Sequence, residues 1–365
     1  MTKSYVYIAD DATLRDNLRI FESSPFVALD TEFMRESTYF PKLCLLQLAT
    51  LEHCVIVDPL TNLDLDPLWS FLSDLARVKV LHSARQDLEV LSLAGGQRLL
   101  TGPFFDTQVA AGLLGAPAQV GFGTLVQERL GHSLPKGHTR ADWTKRPLSS
   151  DQLEYAADDV RFLAPLYLRL RDELQAAHRA EWQAEEAAEL TEPTLYRTDP
   201  SAAWRRLKGL DRLEPQQRAT AKFLAEWRER MAVEHDKPRG WILPDDALRQ
   251  IAERLPTSIE EMEKLRGLQP GLVRKRGDEL LQLVQQGLST RDEETANMFR
   301  PTLEQTAKVT RLMTTVRRRA EELKVSPELL ATRRDIERLV YFGRSDHLTH
   351  GWRQAAIAEA LLAKV

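Results

Sequence analysis

The hydrophobic pattern of this chain changes character once, and that change limits the folds open to it. Up to about residue 190, short strand-like apolar runs alternate with helix-period segments. Past a stretch at 191–200 that carries Pro193 and Pro200, every segment reads as helix. The pattern predicts a mixed α/β domain over 1–190, a linker at 191–200, and all-α helical bundles beyond it. Length agrees, because 365 residues exceed what one hydrophobic core ordinarily organises.

In the first half, Phe26–Leu29 is an apolar run that leads into Asp30-Thr31-Glu32-Phe33. Leu43–Thr50 and Cys54–Val57 are separated by only Leu51-Glu52-His53, a spacing that predicts an antiparallel hairpin. Leu68, Phe71, Leu72 and Leu75 then share a helical face. Val78–Leu81 reads as a fourth strand, followed by a helix through Leu88, Leu91 and Leu93. Phe104-Phe105 reads as a fifth strand, with Asp106 placed to cap the next helix. A meander followed by strand–helix crossovers predicts a mixed sheet. Gly131 to Pro147 is a loop by composition. Ser149 and Gln152 form a capping-box pattern at the start of a long helix, which is expected to run either towards Glu173 or further, through the Ala/Glu-rich stretch to Leu190.

The helical half divides again. Helices are expected over Glu214–His235 and Asp245–Arg254, after Ser258, and from Gly271 to near Gly287. From about Asn297 a similar series restarts. A shift of 88 positions brings Trp241, Ile242, Leu248 and Ile251 onto Leu329, Leu330, Ile336 and Leu339, which predicts two small bundles in tandem, over 201–288 and 297–365. Trp204, Trp227 and Trp241 are expected in the bundle core.

Several classes of function are excluded at this level. The apolar runs are far shorter than the roughly 20 residues of a spanning helix, and the first residues lack a signal-peptide pattern. Two cysteines cannot build a disulfide framework or a four-thiolate zinc site. A cytoplasmic, monomeric protein is expected. The net charge of −4 conceals an imbalance: residues 1–190 carry 18 Lys+Arg against 27 Asp+Glu, and residues 191–365 carry 32 against 27. An acidic half joined to a basic half fits carboxylate chemistry on one side and polyanion binding on the other, or two solvated surfaces of different bias.

The chemistry rests on acids. On a strand, Asp30 and Glu32 point to the same face, and they follow a run that should be buried, where unpaired charge is costly. No lysine or arginine at matching spacing compensates them, so either a divalent cation does or the strand ends at Leu29 and both are solvated. Asp87 lies near the start of the helix after the fourth strand, and His82 reads as a strand-end or capping histidine. Tyr155 and Asp159 are four apart on the long helix and so share a face, with Asp158 about 100° away and solvated or salt-bridged. A phenol of pKa about 10 makes Tyr155 a neutral hydrogen-bond donor rather than a base. Acids from strand one, the helix after strand four and the late helix would converge on one cleft able to hold two hard cations, a set suited to phosphodiester hydrolysis.

These strings also carry a resemblance. DTEF at Asp30–Phe33, HSARQDLEVL around Asp87, and YAADDV at Tyr155–Val160 resemble the three motifs of the DEDD exonuclease superfamily, in its tyrosine subclass. The histidine subclass would require a histidine where Glu154 stands. FDTQVAAGLLG and ADWTKRPLSSDQLEYAADDVRFL resemble ribonuclease D, and the helical modules resemble its C-terminal HRDC domains, the second (297–365) more divergently. The resemblance implies a ribonuclease-H-like sheet and hydrolysis from RNA 3′ ends that releases nucleoside 5′-monophosphates, with precursors of transfer RNA among the substrates. It implies two ions, Mg²⁺ or Mn²⁺. Asp30, Glu32 and Asp159 would hold the one that carries the attacking water, Asp30 and Asp87 would hold the second, and Tyr155 would aim the water.

Beside that site, Lys136, Arg140, Lys145 and Arg146 are positioned in sequence to neutralise phosphates or to be solvated loop charges. Arg274, Lys275 and Arg276 open a helix and form a candidate phosphate contact. Phe33 and Met34 either pack on a terminal base or join the core. Two alternatives remain open from the motifs: an exonuclease acting on DNA, and a silent nucleic-acid adaptor. A transferase or kinase falls for want of a glycine-rich phosphate loop. Residues 200–365 are expected to be dispensable for the chemistry.

Overall fold

The computed structural model describes residues 4–135, 137, 141–290 and 301–364. By packing, the chain forms two units: one from residues up to Met34, Lys42–Tyr196 and the segment from Pro301 onward, the other from Arg35–Pro41 and Arg197–Arg300.

The first unit is built on six strands: β1 (Val6–Ile8), β2 (Phe26–Met34), β3 (Lys42–Ala49), β4 (Cys54–Val57), β5 (Val78–Leu81) and β6 (Phe104–Asp106), in the spatial order β1-β4-β3-β2-β5-β6. The β2-β3-β4 meander is antiparallel as expected. β5 and β6 add in parallel after helical crossovers, and β1, which the pattern did not announce, adds in parallel beside β4. The central strands are apolar on both faces because helices cover both. Odd residues of β2, Val27 and Leu29, pack with Leu14 of α1 (Asp11–Phe21) and with Leu88 and Leu91 of α3 (Arg85–Ala94); α2 is Asp66–Leu72. Even residues, Phe26 and Ala28, pack with Val160, Leu163 and Leu170 of α6 (Ser150–Ala176), which follows α4 (Thr107–Leu113) and α5 (Phe122–Leu130).

Helix α6 opens on the expected capping box, in which Ser149 and Gln152 exchange hydrogen bonds of 3.2 and 3.0 Å. It does not continue to Leu190. His178 takes a left-handed backbone, φ 55°, and α7 (Ala180–Glu189) starts in a new direction. The preceding Arg179 donates to the carbonyls of Leu113 at 2.6 Å and Lys324 at 3.1 Å, and to that of Leu323. Three orphan carbonyls at helix ends thus share one guanidinium, and periodicity alone gives no sign of it.

The second unit holds α8 (Pro215–Glu234), α9 (Arg239–Ile242), α10 (Asp245–Arg254), α11 (Ile259–Glu263) and α12 (Pro270–Ser289) around Leu224, Leu248, Ile251 and Val284. Buried Glu229 accepts from Arg239, from Arg206 at 2.9 Å and from Tyr39 at 2.5 Å. Trp227 is buried and Trp204 half-buried, but Trp241 is 65% exposed, which corrects its assignment to the core. Its four-residue helix is too short to turn a second face inward.

The 88-residue periodicity reappears as structure. Helices α13 (Leu303–Leu323), α14 (Pro327–Leu330) and α15 (Arg333–Phe342) start at 303, 327 and 333, against 215, 239 and 245 for α8, α9 and α10. Both series open on a capping box, Glu214 with Gln217 and Thr302 with Gln305. Residue 297, where the sequence starts the second module, lies outside the described residues.

This second series does not stand apart from the unit that carries the sheet. Val309, Val316, Ile336 and Trp352 share one core with the sheet. The Ser326 amide donates to the Gly112 carbonyl at 2.8 Å, and Leu329 sits where a Cβ on Gly112 would be 2.6 Å from it. The Trp182 and Trp352 rings stack at 4.5 Å, and Arg353 forks onto Glu186 at 2.6 and 2.8 Å. Residues 301–364 therefore pack as part of the same unit as the sheet, whereas the sequence pattern sets 297–365 apart as a bundle of its own.

Candidate active site

The site arises where β2 outruns its neighbour. β2 pairs with β5 only from Phe26 to Ala28, while its pairing with β3 continues to Met34. Past Ala28 the β5 side of β2 is open, because β5 ends at Leu81 and turns into α3. Asp30 and Glu32 occupy this open stretch on the face beneath α6. A crevice beyond strand ends, where the chain changes direction, is the usual place for a ligand in an α/β sheet.

From the opposite wall, α6 presents Asp159. Carboxylate oxygens of Asp30, Glu32 and Asp159 all lie within 4.8 Å of one another. No lysine or arginine among the described residues pairs with any of the three. Burial and mutual repulsion therefore disfavour their charged forms. Burial, then Asp30, Asp159 and Asp87, push Glu32 up to about 10. Burial and Asp158 push Asp159 up to about 7, against a hydrogen bond from Tyr155. Asp30 is raised by burial and by Asp159.

Asp87 is placed differently. It lies on α3, which packs on the other face of β2, and its Oδ1 accepts from the Thr31 hydroxyl at 2.5 Å, both residues being buried. Burial and Asp30 raise its pKa, so it stands close enough to sense the cluster while outside the three-oxygen set. The start of α3 is held by Asp106, whose two oxygens accept from the Ser83 and Ala84 amides at 2.9 and 2.8 Å, in addition to capping α4 as expected. His82 is occupied by Thr107 and the Val120 carbonyl, at 3.0 and 3.1 Å, in agreement with a structural role. Asp158 pairs with Arg161 at 3.1 Å, as its position off the Tyr155–Asp159 face implies.

Three clustered acids with a tyrosine on the same helix as one of them are a donor set that could hold a hard cation, and comparison with known proteins places the chain in a family. A 3′-5′ exonuclease profile matches residues 5–175 and an HRDC domain profile matches residues 217–284; the helices from Leu303 on lie outside both. Ribonuclease D of Pseudomonas paraeruginosa is 37% identical over 98% of this chain and 96% of its own length. That of Nitrobacter hamburgensis is 37% identical over 93% and 89%. The crystal structure of Escherichia coli RNase D, an exoribonuclease involved in structured RNA processing, superposes with a TM-score of 0.87 at 32% identity, over 99% of this chain and 98% of that one. The chain belongs to the ribonuclease D family. The catalytic core of RRP6 from Trypanosoma brucei is a more distant likeness, with a TM-score of 0.61 at 25% identity over 78% of this chain and 80% of that one.

The remaining expected residues fall into distinct places. Phe33 and Met34 are half-buried against the cores on opposite faces of the sheet. Lys145 is exposed and 3.7 Å from Asp142. Lys136 and Arg140 lie outside the described residues. In the second unit, Arg274 and Lys275 are exposed on the first turns of α12, while Arg276 pairs with Glu279 at 3.1 Å. Arg146 is not a free loop cation: all of its guanidinium N–H groups are taken up inside the protein. Thr31 was passed over in the sequence, although a hydroxyl between two acids of a buried strand points to the opposite face and needs a partner there. The residues present fit a divalent cation: three clustered carboxylates, uncompensated by any described cation, are a hard-oxygen donor set.

Proposed function

We propose that this protein removes nucleotides one at a time from RNA 3′ ends by hydrolysis, releasing nucleoside 5′-monophosphates, and that precursors of transfer RNA and other small structured RNAs are among its substrates. The observation that carries this reading is the Asp30–Glu32–Asp159 cluster, with Tyr155 on the same helix face as Asp159. In this reading Asp30, Glu32 and Asp159 would hold one divalent ion, and Asp30 with Asp87 would hold a second, either Mg²⁺ or Mn²⁺. Such ions supply an activated water at neutral pH and charge stabilisation for the leaving oxygen.

The chain's own groups have separate tasks. Asp30 would belong to both donor sets. Thr31 holds one oxygen of Asp87 by its hydroxyl. Tyr155, one turn from Asp159 on α6, would donate a hydrogen bond to the water that attacks the terminal phosphorus. Arg274 and Lys275 supply phosphate contacts in the HRDC domain, which is otherwise a bundle without acids in cation-binding array among its described residues. The helix series from Leu303 is read as a divergent HRDC-like module. A cytoplasmic monomer is the proposed setting, in keeping with two buried, unpaired cysteines.

The test uses 5′-labelled single-stranded RNA and DNA of one sequence, with Mg²⁺, Mn²⁺ or EDTA, and Asp30→Asn in parallel. A ladder shortening from the RNA 3′ end, absent with EDTA and in the variant, is expected. Equal or faster loss of DNA would redirect the reading to a deoxyribonuclease, and intact RNA and DNA to a silent adaptor.

A further inference from the structure

The loop before α6 ends in an arginine whose role its sequence position misrepresents. Arg146 Nε donates to Asp58 Oδ2 at 2.5 Å and Nη2 to Asp58 Oδ1 at 2.8 Å. Nη2 also donates to the Cys44 carbonyl, and Nη1 to the carbonyls of Trp143 and Lys145, each at 2.8 Å. A guanidinium has five N–H donors, and these five bonds use all of them, so none is left for a phosphate.

Asp58, at the end of β4, is fully buried. It also accepts from the Tyr7 hydroxyl and from the Leu60 amide, the latter at 3.0 Å. Burial alone would raise its carboxyl, but bonds from Arg146 and Tyr7 outweigh that and hold it below the usual range. The pair thus nails the 141–148 loop to the ends of β3 and β4. A lysine there has three donors on a point charge and cannot reproduce the planar fork.

What the loop delivers is Trp143. Its side chain is only 2% exposed, and its ring lies 6.2 Å from that of Tyr155 at an interplanar angle of 31°. Tyr155 stands one turn before Asp159 on α6. The Trp143 carbonyl is one of the groups that Arg146 holds, so the anchor acts on the residue that packs against the tyrosine.

We propose that Arg146, anchored on Asp58, is a positioning residue that sets the Tyr155 hydroxyl through Trp143, and that it does not contact RNA. The proposal rests on the reading of Tyr155 as the group that orients the attacking water. A tilt of the ring displaces that hydroxyl, and an error of about 1 Å near reacting atoms costs on the order of 100-fold in rate. RNA affinity does not depend on the tilt.

The experiment is a double-mutant cycle on the full-length protein with its divalent ion. Turnover and KM on single-stranded RNA are measured for Arg146→Lys, Tyr155→Phe and the double variant, and RNA affinity against salt is measured in EDTA. Trp143→Phe and Trp143→Ala form a second pair. Arg146→Lys is expected to lower kcat by roughly 10- to 100-fold with KM nearly unchanged. The double variant should be no slower than Tyr155→Phe alone, since each removes the same positioning. The salt slope of RNA binding should not move, and Trp143→Phe should keep more turnover than Trp143→Ala.

Losses that multiply in the double variant would overturn the proposal. So would a salt slope reduced by about 0.7, the signature of one lost phosphate contact on a single strand. If Arg146→Lys fails to fold, the Trp143 pair still decides: equal turnover in Phe and Ala variants overturns the proposal. Tyr155→Phe at the wild-type rate would instead remove the underlying reading of Tyr155, a result distinct from either.

Discussion

At the scale of single residues, the carboxylate cluster makes stability and metal binding one problem. Glu32, held near 10, and Asp159, held near 7, bind protons more tightly in the folded than in the unfolded chain. For an acid raised in this way, stability declines as pH climbs from the unfolded value, about 4, through the folded one. Thermal melts in EDTA should therefore fall between pH 5 and 9, and Asp30→Asn, which removes one of the repelling charges, should fall less steeply. Mg²⁺ or Mn²⁺ should raise the wild-type melting temperature more at pH 8 than at pH 5, because the ion competes with protons for the same oxygens. Parallel melting curves for wild type and Asp30→Asn would show that the cluster carries no such strain. Residues like these are legible in sequence because period-two and i,i+4 spacing are local rules. Thr31 and Arg146 were not legible in the same way: their partners Asp87 and Asp58 lie 56 and 88 positions away, and no local pattern reports a contact at that range.

Elements were legible where a cap or an apolar run marks them. The Ser149–Gln152 box fixes the start of α6 in both sequence and structure. Ser149→Ala should cost about 1 kcal/mol in urea unfolding while leaving kcat within about twofold, because Tyr155 lies in the second turn and keeps its own backbone bonds. A fall in kcat in step with stability would tie the first turn directly to the chemistry. β1 escaped notice since three residues at a sheet edge carry too little periodicity, and the α6–α7 break did so because Arg179 stabilises it from distant carbonyls. The second unit offers another test at this scale. Burial alone would raise the Glu229 carboxyl, but hydrogen bonds from Arg239, Tyr39 and Arg206 hold it at about 2. An acid depressed in this way stabilises above its unfolded value near 4.5 and loses that contribution as pH falls toward 2. Glu229→Gln should destabilise the second unit by about 3–5 kcal/mol, as removal of one member of a buried ion pair does. The loss should be full at pH 7 and shrink on acidification below pH 4.5. A constant loss across that range would mean that packing rather than charge sets it.

For the whole molecule, the division visible in the sequence and the division made by packing differ. The helix series after residue 300 repeats the order of the HRDC bundle, and repetition argues for a separable module. Its buried surfaces argue otherwise, since Trp352 is 4% exposed and stacked on Trp182 of the nuclease domain, with its indole N–H on Glu186 at 2.7 Å. Glu186 also takes the fork from Arg353, so one carboxylate terminates two contacts across the same seam. A repeated sequence pattern preserves a bundle's inner face but does not specify what its outer face covers. Trp352→Ala should lower global stability by about 3–5 kcal/mol, the cost of emptying a buried aromatic site. Glu186→Gln should weaken the same seam while leaving Trp182 packed. A chain ending at residue 300 should then be insoluble or show a lowered, broadened melt of the nuclease unit, with turnover lost along with the fold. A soluble 1–300 fragment that melts and cleaves like the full chain would show instead that the seam is an attachment and that the sheet needs nothing from beyond it.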